Sequence, residues 1–170
     1  MARIRAGVKA LFKSMGYEIT KWQQPIWATD ADFAEIYEQI SPQTVLSRDR
    51  CFMLYQFSKY AAALGGDVAE VGVYRGGSAK LLAKACTCKR VHLFDTFAGL
   101  PMADPDLDQP DFYESFSFAN TSSQMVREFL ADCDNILIHE GLFPSTAIPV
   151  ESEKFCLVHV DTDLYRPVMD

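Results

Sequence analysis

Four carboxylates and a run of glycines are the residues of this chain best suited to chemistry. Glu70 lies inside "DVAEVGVY", and Gly72, Gly76, Gly77 and Ser78 follow within eight residues. Asp95 closes "VHLFD", and Asp161 and Asp163 follow "FCLVHV". Glycine permits positive φ and lets another group approach the backbone closely. Amides at a helix start near Ser78 offer hydrogen bonds to an anionic group, with the helix dipole adding to them. The spacing G-x-x-x-G-G-S is neither G-x-G-x-x-G nor G-x-x-x-x-G-K-[ST], so the dinucleotide fingerprint and the P-loop both fail. A carboxylate two residues before the first glycine repels phosphate. It suits a cation, such as the ammonium of an amino acid or a sulfonium. The alternative is a tight structural turn beside a surface glutamate.

Asp95 stands about 20 residues beyond the glycine turn, where an acidic side chain accepts from the ribose hydroxyls of an adenosine ligand; NAD and S-adenosylmethionine are served alike. Its alternative is a turn cap. Alternation along a strand lets Asp161 and Asp163 face the same way. Mg²⁺ takes carboxylate oxygens and waters in an octahedron, and Asp161 is a candidate ligand. Asp163 is read instead as the cap of a helix beginning at Leu164. His92, His139 and His159 fall inside expected strands and are read as buried structural residues. No Ser-His-Asp or Cys-His arrangement follows from spacing.

These residues need a scaffold, and the hydrophobic pattern supplies one. "DVAEVGVY", "RVHLFD", "NILIHE" and "FCLVHV" read as buried strands, with helices expected over "GSAKLLAKAC" and "SSQMVREFLADC". Such alternation means βαβ units with right-handed crossovers. The expected fold is α/β, a Rossmann-like, doubly wound, mostly parallel sheet with a helical N-terminal extension. Residues 1–64 form the extension and 65–170 the core, which lacks the last strands of that fold. In the extension, Ile4, Val8, Leu11 and Phe12 are spaced for a small basic amphipathic helix. Phe33, Ile36, Tyr37 and Ile40 mark a second helix capped by Asp30. A third runs from Ser47 to Leu64 and stops at Gly65-Gly66. Residues 98–123 form a long acidic loop. Its Phe112, Tyr113, Phe116 and Phe118 either line an apolar pocket or pack the loop down. The sheet is left with an open edge after the fourth strand, to be covered by further strands or by a second copy of the chain.

Bulk properties narrow the partners. A net charge of -7 over 170 residues argues against nucleic-acid and membrane surfaces. The expectation is a cytoplasmic protein without a signal peptide or membrane span. The five cysteines are scattered and lack zinc or redox spacing, so they are read as reduced thiols.

Four segments in this order, "DVAEVGVYRGGSAKLLA", "VHLFDTFAGLP", "GLFPST" and "VHVDTDLY", resemble the macrocin O-methyltransferase family. Its members are class I S-adenosylmethionine-dependent methyltransferases that act on sugar hydroxyls, typically with Mg²⁺. The resemblance spans roughly residues 40 to 166. It implies that Glu70 and Gly72, with Gly76, Gly77 and Ser78, hold the methionine part of the cofactor. Asp95, Thr96 and Phe97 would hold the ribose, and Gly141 and Leu142 would border the adenine. The segment "TVLSRDR", residues 44–50 with Ser47 and Arg50, would lie over the cofactor's carboxylate end. Asp161 would bind the metal and orient the acceptor hydroxyl. The family's later acidic pair and base are not in this sequence, so the resemblance implies a C-terminally truncated enzyme. A nicotinamide-dependent oxidoreductase and a non-catalytic cofactor- or partner-binding protein are the alternatives. The expected partners are a small hydroxyl-bearing acceptor and a second copy of the chain.

Overall fold

The computed structural model describes residues 2–19, 24–100, 118–164 and 169. Four parallel strands form one sheet, β1 (Asp67–Val71), β2 (Val91–Asp95), β3 (Ile136–Glu140) and β4 (Phe155–Val160), in the order β3-β2-β1-β4. The expected strands are all present, and the chain reverses direction of build-out at β1, next to which β4 pairs. This is the Rossmann-like α/β core that the sequence pattern leads one to expect.

Five helices accompany the sheet: α1 (Ala2–Ser14), α2 (Ala31–Ile40), α3 (Arg48–Ala61), α4 (Gly77–Ala85) and α5 (Ser123–Phe129). Asp30 caps α2 as expected, its carboxylate accepting from the Phe33 amide at 3.0 Å. α3 is shorter than its apolar pattern suggests. After Ala61 the chain tightens into turns, with the Leu64 amide donating to the Ala61 carbonyl at 2.9 Å. α5 also stops early, at Phe129, and Leu130 to Cys133 continue as turns. A helix beginning at Leu164 would fall mostly outside the described residues. So do Phe112, Tyr113 and Phe116.

Alternation along β1 divides the molecule. Val68 belongs to the larger core with Val91 and Leu93 of β2, Leu81 and Leu82 of α4, and Phe33, Phe52 and Tyr55 of α2 and α3. The aromatic rings of this core touch directly, Phe33 and Phe52 edge-on with centroids 5.0 Å apart. Ala69, Val71 and Phe94 form a smaller core on the opposite side with Phe143 and Phe155. His92 is buried, as read from the sequence, and its Nδ1 lies 3.0 Å from Nε2 of the half-buried His139. α1 forms where the apolar spacing places a helix, with Val8, Leu11 and Phe12 exposed. Among the described residues no helix is long and apolar enough to cross a membrane.

Candidate active site

The glycine turn joins β1 to α4 at the carboxyl ends of the strands. Gly72 has φ +90, and a Cβ there would fall on the Asp161 carbonyl oxygen. The ends of β1 and β4 are thus pressed together, with the Asp161 amide donating to the Val71 carbonyl at 2.8 Å. Gly76, at φ +85, is the N-cap of α4. A Cβ on Gly77 would come within 2.6 Å of Thr44 Cβ and 2.7 Å of the Gln43 carbonyl oxygen. The segment between α2 and α3 therefore lies directly on the start of α4. Two of the three glycines serve close approach, as their type suggests, but what approaches is this chain's own backbone.

Glu70 is wholly buried below this turn, and neither carboxylate oxygen has a hydrogen-bond partner of ordinary geometry. Burial pushes its carboxyl up from 4.5 to about 8, the Ser78 hydroxyl opposes this, and Asp161 and Asp95 reinforce it. His159, its register partner on β4, faces it with Nε2 3.9 Å from Oε1. Burial lowers the His159 imidazole, and Asp161 opposes that shift. The hydroxyl of Thr162 is also buried and unpaired. An unpaired buried carboxyl is costly, and a cationic or hydrogen-bonding group beside it would offset that cost.

Asp95 is committed locally. One carboxylate oxygen accepts from the Val73 amide at 2.6 Å and the Tyr74 amide at 2.8 Å. The other accepts from the Phe97 amide at 2.7 Å. The turn-cap reading and the pocket reading both hold for this residue, because Asp95 also lines the pocket.

One pocket gathers most of these groups. Gly72, Ser78, Asp95, Thr96, Gly141, Leu142 and Asp161 line it, all expected at the site. Glu70, Gly76, Gly77 and Phe97 stand behind the lining: the carboxyl is buried, Gly77 supports the wall, and Phe97 turns inward. Ser47 and Arg50 are exposed on the first turn of α3 or just before it, and neither lines the pocket. Thr44, Val45 and Leu46, from the same expected segment, line it, and so does Gln43, which was not expected. Sequence reasoning also missed Tyr74 and Phe143, which face the pocket from the turn and from after β3. Of the loop aromatics, Phe118 lines the pocket and also packs edge-on against Tyr74, with ring centroids 5.1 Å apart. The wall is largely apolar, with carboxylates at its floor. Among the described residues no group of three or more His, Cys, Asp or Glu side chains is gathered that would hold a metal ion.

A parallel sheet whose glycine turn and carboxylates surround such a pocket defines the class I methyltransferase fold. The chain belongs to the macrocin-O-methyltransferase (TylF) family, whose model matches residues 47–170. Among solved structures, the chain is similar to CalS11, a calicheamicin methyltransferase. The TM-score is 0.59 at 17% identity, over 88% of this chain and 76% of that one. It is also similar to cofactor-bound Rv0187 from MTB, with a TM-score of 0.52 at 19% identity, over 83% of this chain and 63% of that one. At these identities the likeness is one of fold. The chain thus spans about two thirds to three quarters of the length of these two structures. No curated protein matches in sequence. α1 and α2 precede the family match, which begins at Ser47.

Proposed function

We propose that the pocket binds S-adenosylmethionine and that the protein is an O-methyltransferase for a hydroxyl of a sugar or a similar small natural product. The observation that carries the reading is Glu70: a fully buried carboxyl whose oxygens have no hydrogen-bond partner, under a glycine turn and behind the lining of an apolar pocket. That site favours a ligand with an apolar body and a cationic tail. The family supports the same assignment.

Bound S-adenosylmethionine supplies a methyl group on a sulfonium, so the chain's task is to orient the partners. Glu70 and Ser78 face the cationic amino-acid tail. Asp95 has one acceptor position left for a ribose hydroxyl once three amides are counted. Gly141 and Leu142 border the adenine, against Phe143. The apolar wall of Leu46, Tyr74 and Phe118 excludes water from the reacting atoms. Asp161, exposed and part of the pocket lining, would orient the acceptor hydroxyl. Mg²⁺ remains an expectation from the family, with Asp161 as its ligand. The described residues do not assemble a cation site around it, and no step is derived through the metal.

Calorimetric titration with S-adenosylhomocysteine, with NAD as control, tests the cofactor. Micromolar binding of the first alone is expected, and equal binding of NAD would overturn the reading. Transfer of labelled methyl from S-adenosylmethionine to a panel of sugars and small phenols tests the acceptor class. Labelling of phenols alone would exclude the sugar.

A further inference from the structure

We propose that Asp95 is a positioning residue: its carboxylate holds the Val73–Tyr74 backbone in the shape that makes the cofactor wall, and this accounts for most of its effect on cofactor affinity. The inference rests on the cofactor reading above, but its structural basis is independent of it. The three amides that Asp95 accepts from belong to two different loops, the glycine turn and the turn after β2. An ionised carboxylate has about four acceptor positions, and backbone takes three of them. A ribose diol held by both oxygens would have to displace those amides.

The backbone that the carboxylate holds needs holding. Tyr74 and Phe97 both adopt left-handed conformations, at φ 53 and 51, and neither is a glycine. Residues with a Cβ persist there only when their surroundings fix them. Tyr74 is fixed from both sides. Its amide donates to Asp95, and its carbonyl accepts from the Thr121 hydroxyl at 2.6 Å. Its phenol donates to Asn120 at 2.8 Å. Asp95 is therefore the link between the glycine turn, the turn at Phe97 and the Phe118–Thr121 segment, all of which border the pocket.

Asp95→Asn tests this with little change of volume. Turned one way, the NH₂ group meets the Phe97 amide; turned the other, it meets the Val73 and Tyr74 amides together, so at least one backbone N–H loses its acceptor. In hydrogen exchange on the unliganded chain, the Val73, Tyr74 and Phe97 amides are expected to be protected in the wild type. At least one of the three should exchange about tenfold faster in the variant, while the amides inside α4 keep their protection. Unprotected Val73 and Tyr74 amides in the wild type, or equal exchange in both proteins, would overturn the proposal; the wild-type measurement stands even if the variant does not fold.

In titrations, Asp95→Asn is expected to weaken S-adenosylhomocysteine about tenfold. It should weaken an analogue lacking both ribose hydroxyls by the same factor. If the variant weakens only the hydroxylated ligand, Asp95 acts through the ribose and the proposal fails. If the wild type binds neither ligand while the exchange pattern holds, the cofactor reading fails and the positioning role stands.

Discussion

Glu70 and His159 are register partners on adjacent parallel strands, with Oε1 and Nε2 3.9 Å apart and no hydrogen-bond partner for either atom. Burial disfavours the charged form of each: it raises the carboxyl and lowers the imidazole. Near neutral pH this buried pair behind the pocket therefore carries little charge. A cationic ligand reverses the balance, since an ionised Glu70 beside it is favoured.

This gives a pH dependence with a definite sign. Glu70 binds its proton more tightly folded than unfolded, so its contribution to stability is fully present below 4.5 and is lost as pH rises toward 8. His159 works the other way: its contribution is present above its ordinary 6.5 and is lost as pH falls. Comparing the wild type with Glu70→Gln isolates the carboxyl. Each pH unit of unmatched titration is worth up to about 1.4 kcal/mol, or about 2–4 °C in Tm for a chain of this size. Between pH 5 and 8 the wild type is expected to lose Tm relative to Glu70→Gln, as measured by thermal denaturation. Parallel curves would mean that the carboxyl titrates normally. Saturating S-adenosylhomocysteine should reduce the difference.

Gly77 yields a second expectation. A methyl group there meets Thr44 Cβ and the Gln43 carbonyl rather than open space. The Gln43–Leu46 segment must then lift off α4, and it forms one wall of the pocket. Gly77→Ala is expected to weaken S-adenosylhomocysteine about tenfold and to lower stability by about 1–3 kcal/mol, the usual range for overpacking. Titration calorimetry and urea denaturation measure the two effects. Unchanged affinity would show that this wall does not touch the ligand.

The contrast between Gly77 and Arg50 shows how far the sequence reaches. The four strands and α4 were legible because short apolar, β-branched runs leave few alternatives, and the carboxyl ends of those strands located the site. Glu70, Ser78, Asp95 and Asp161 follow from that placement. The place of Thr44, Val45 and Leu46 was expected only from the family resemblance, and Gln43, Tyr74 and Phe143 were not legible, because each is brought in by a tertiary contact without a local signal. Thr44 reaches the site only because Gly77, more than 30 residues later, has no side chain. The early ends of α3 and α5 belong to the same class: the apolar spacing continues, and hydrogen bonding in the turns decides the boundary.

Arg50 is a direct check on that correction. It is exposed, and it lies beyond the segment that lines the pocket. An exposed cation at such a place contributes about 0–1 kcal/mol to a charge pair. Arg50→Ala is expected to change the Kd for S-adenosylhomocysteine less than about threefold. A tenfold loss in calorimetry would place its guanidinium on the ligand carboxylate, and would mean that α3 moves inward on binding.

The last expectation concerns how α4 is held in place. Lys80 is buried, pairs with Asp132 at 2.8 Å, donates to the Phe129 carbonyl at 3.0 Å and lies over the Phe129 ring. Lys84 reaches the same carboxylate, also at 2.8 Å. The two lysines hold the Asp132 carboxyl well below the usual carboxylate range. Its contribution to stability is therefore present above 3.8 and is lost only as pH falls well below that value. Removing Asp132 strands a buried ammonium, whereas removing both partners does not. Half of the carboxylate faces water, so Asp132→Ala is expected to cost about 1–2 kcal/mol, less than a fully buried pair. Adding Lys80→Met should cost less than the two single changes together, because the apolar stem still packs on Phe129. Urea denaturation of the four proteins of the cycle measures the coupling. Strict additivity would mean that the ion pair does not fasten α4 to the end of α5, and that the Phe129 contacts alone hold the helix whose first turn forms the site.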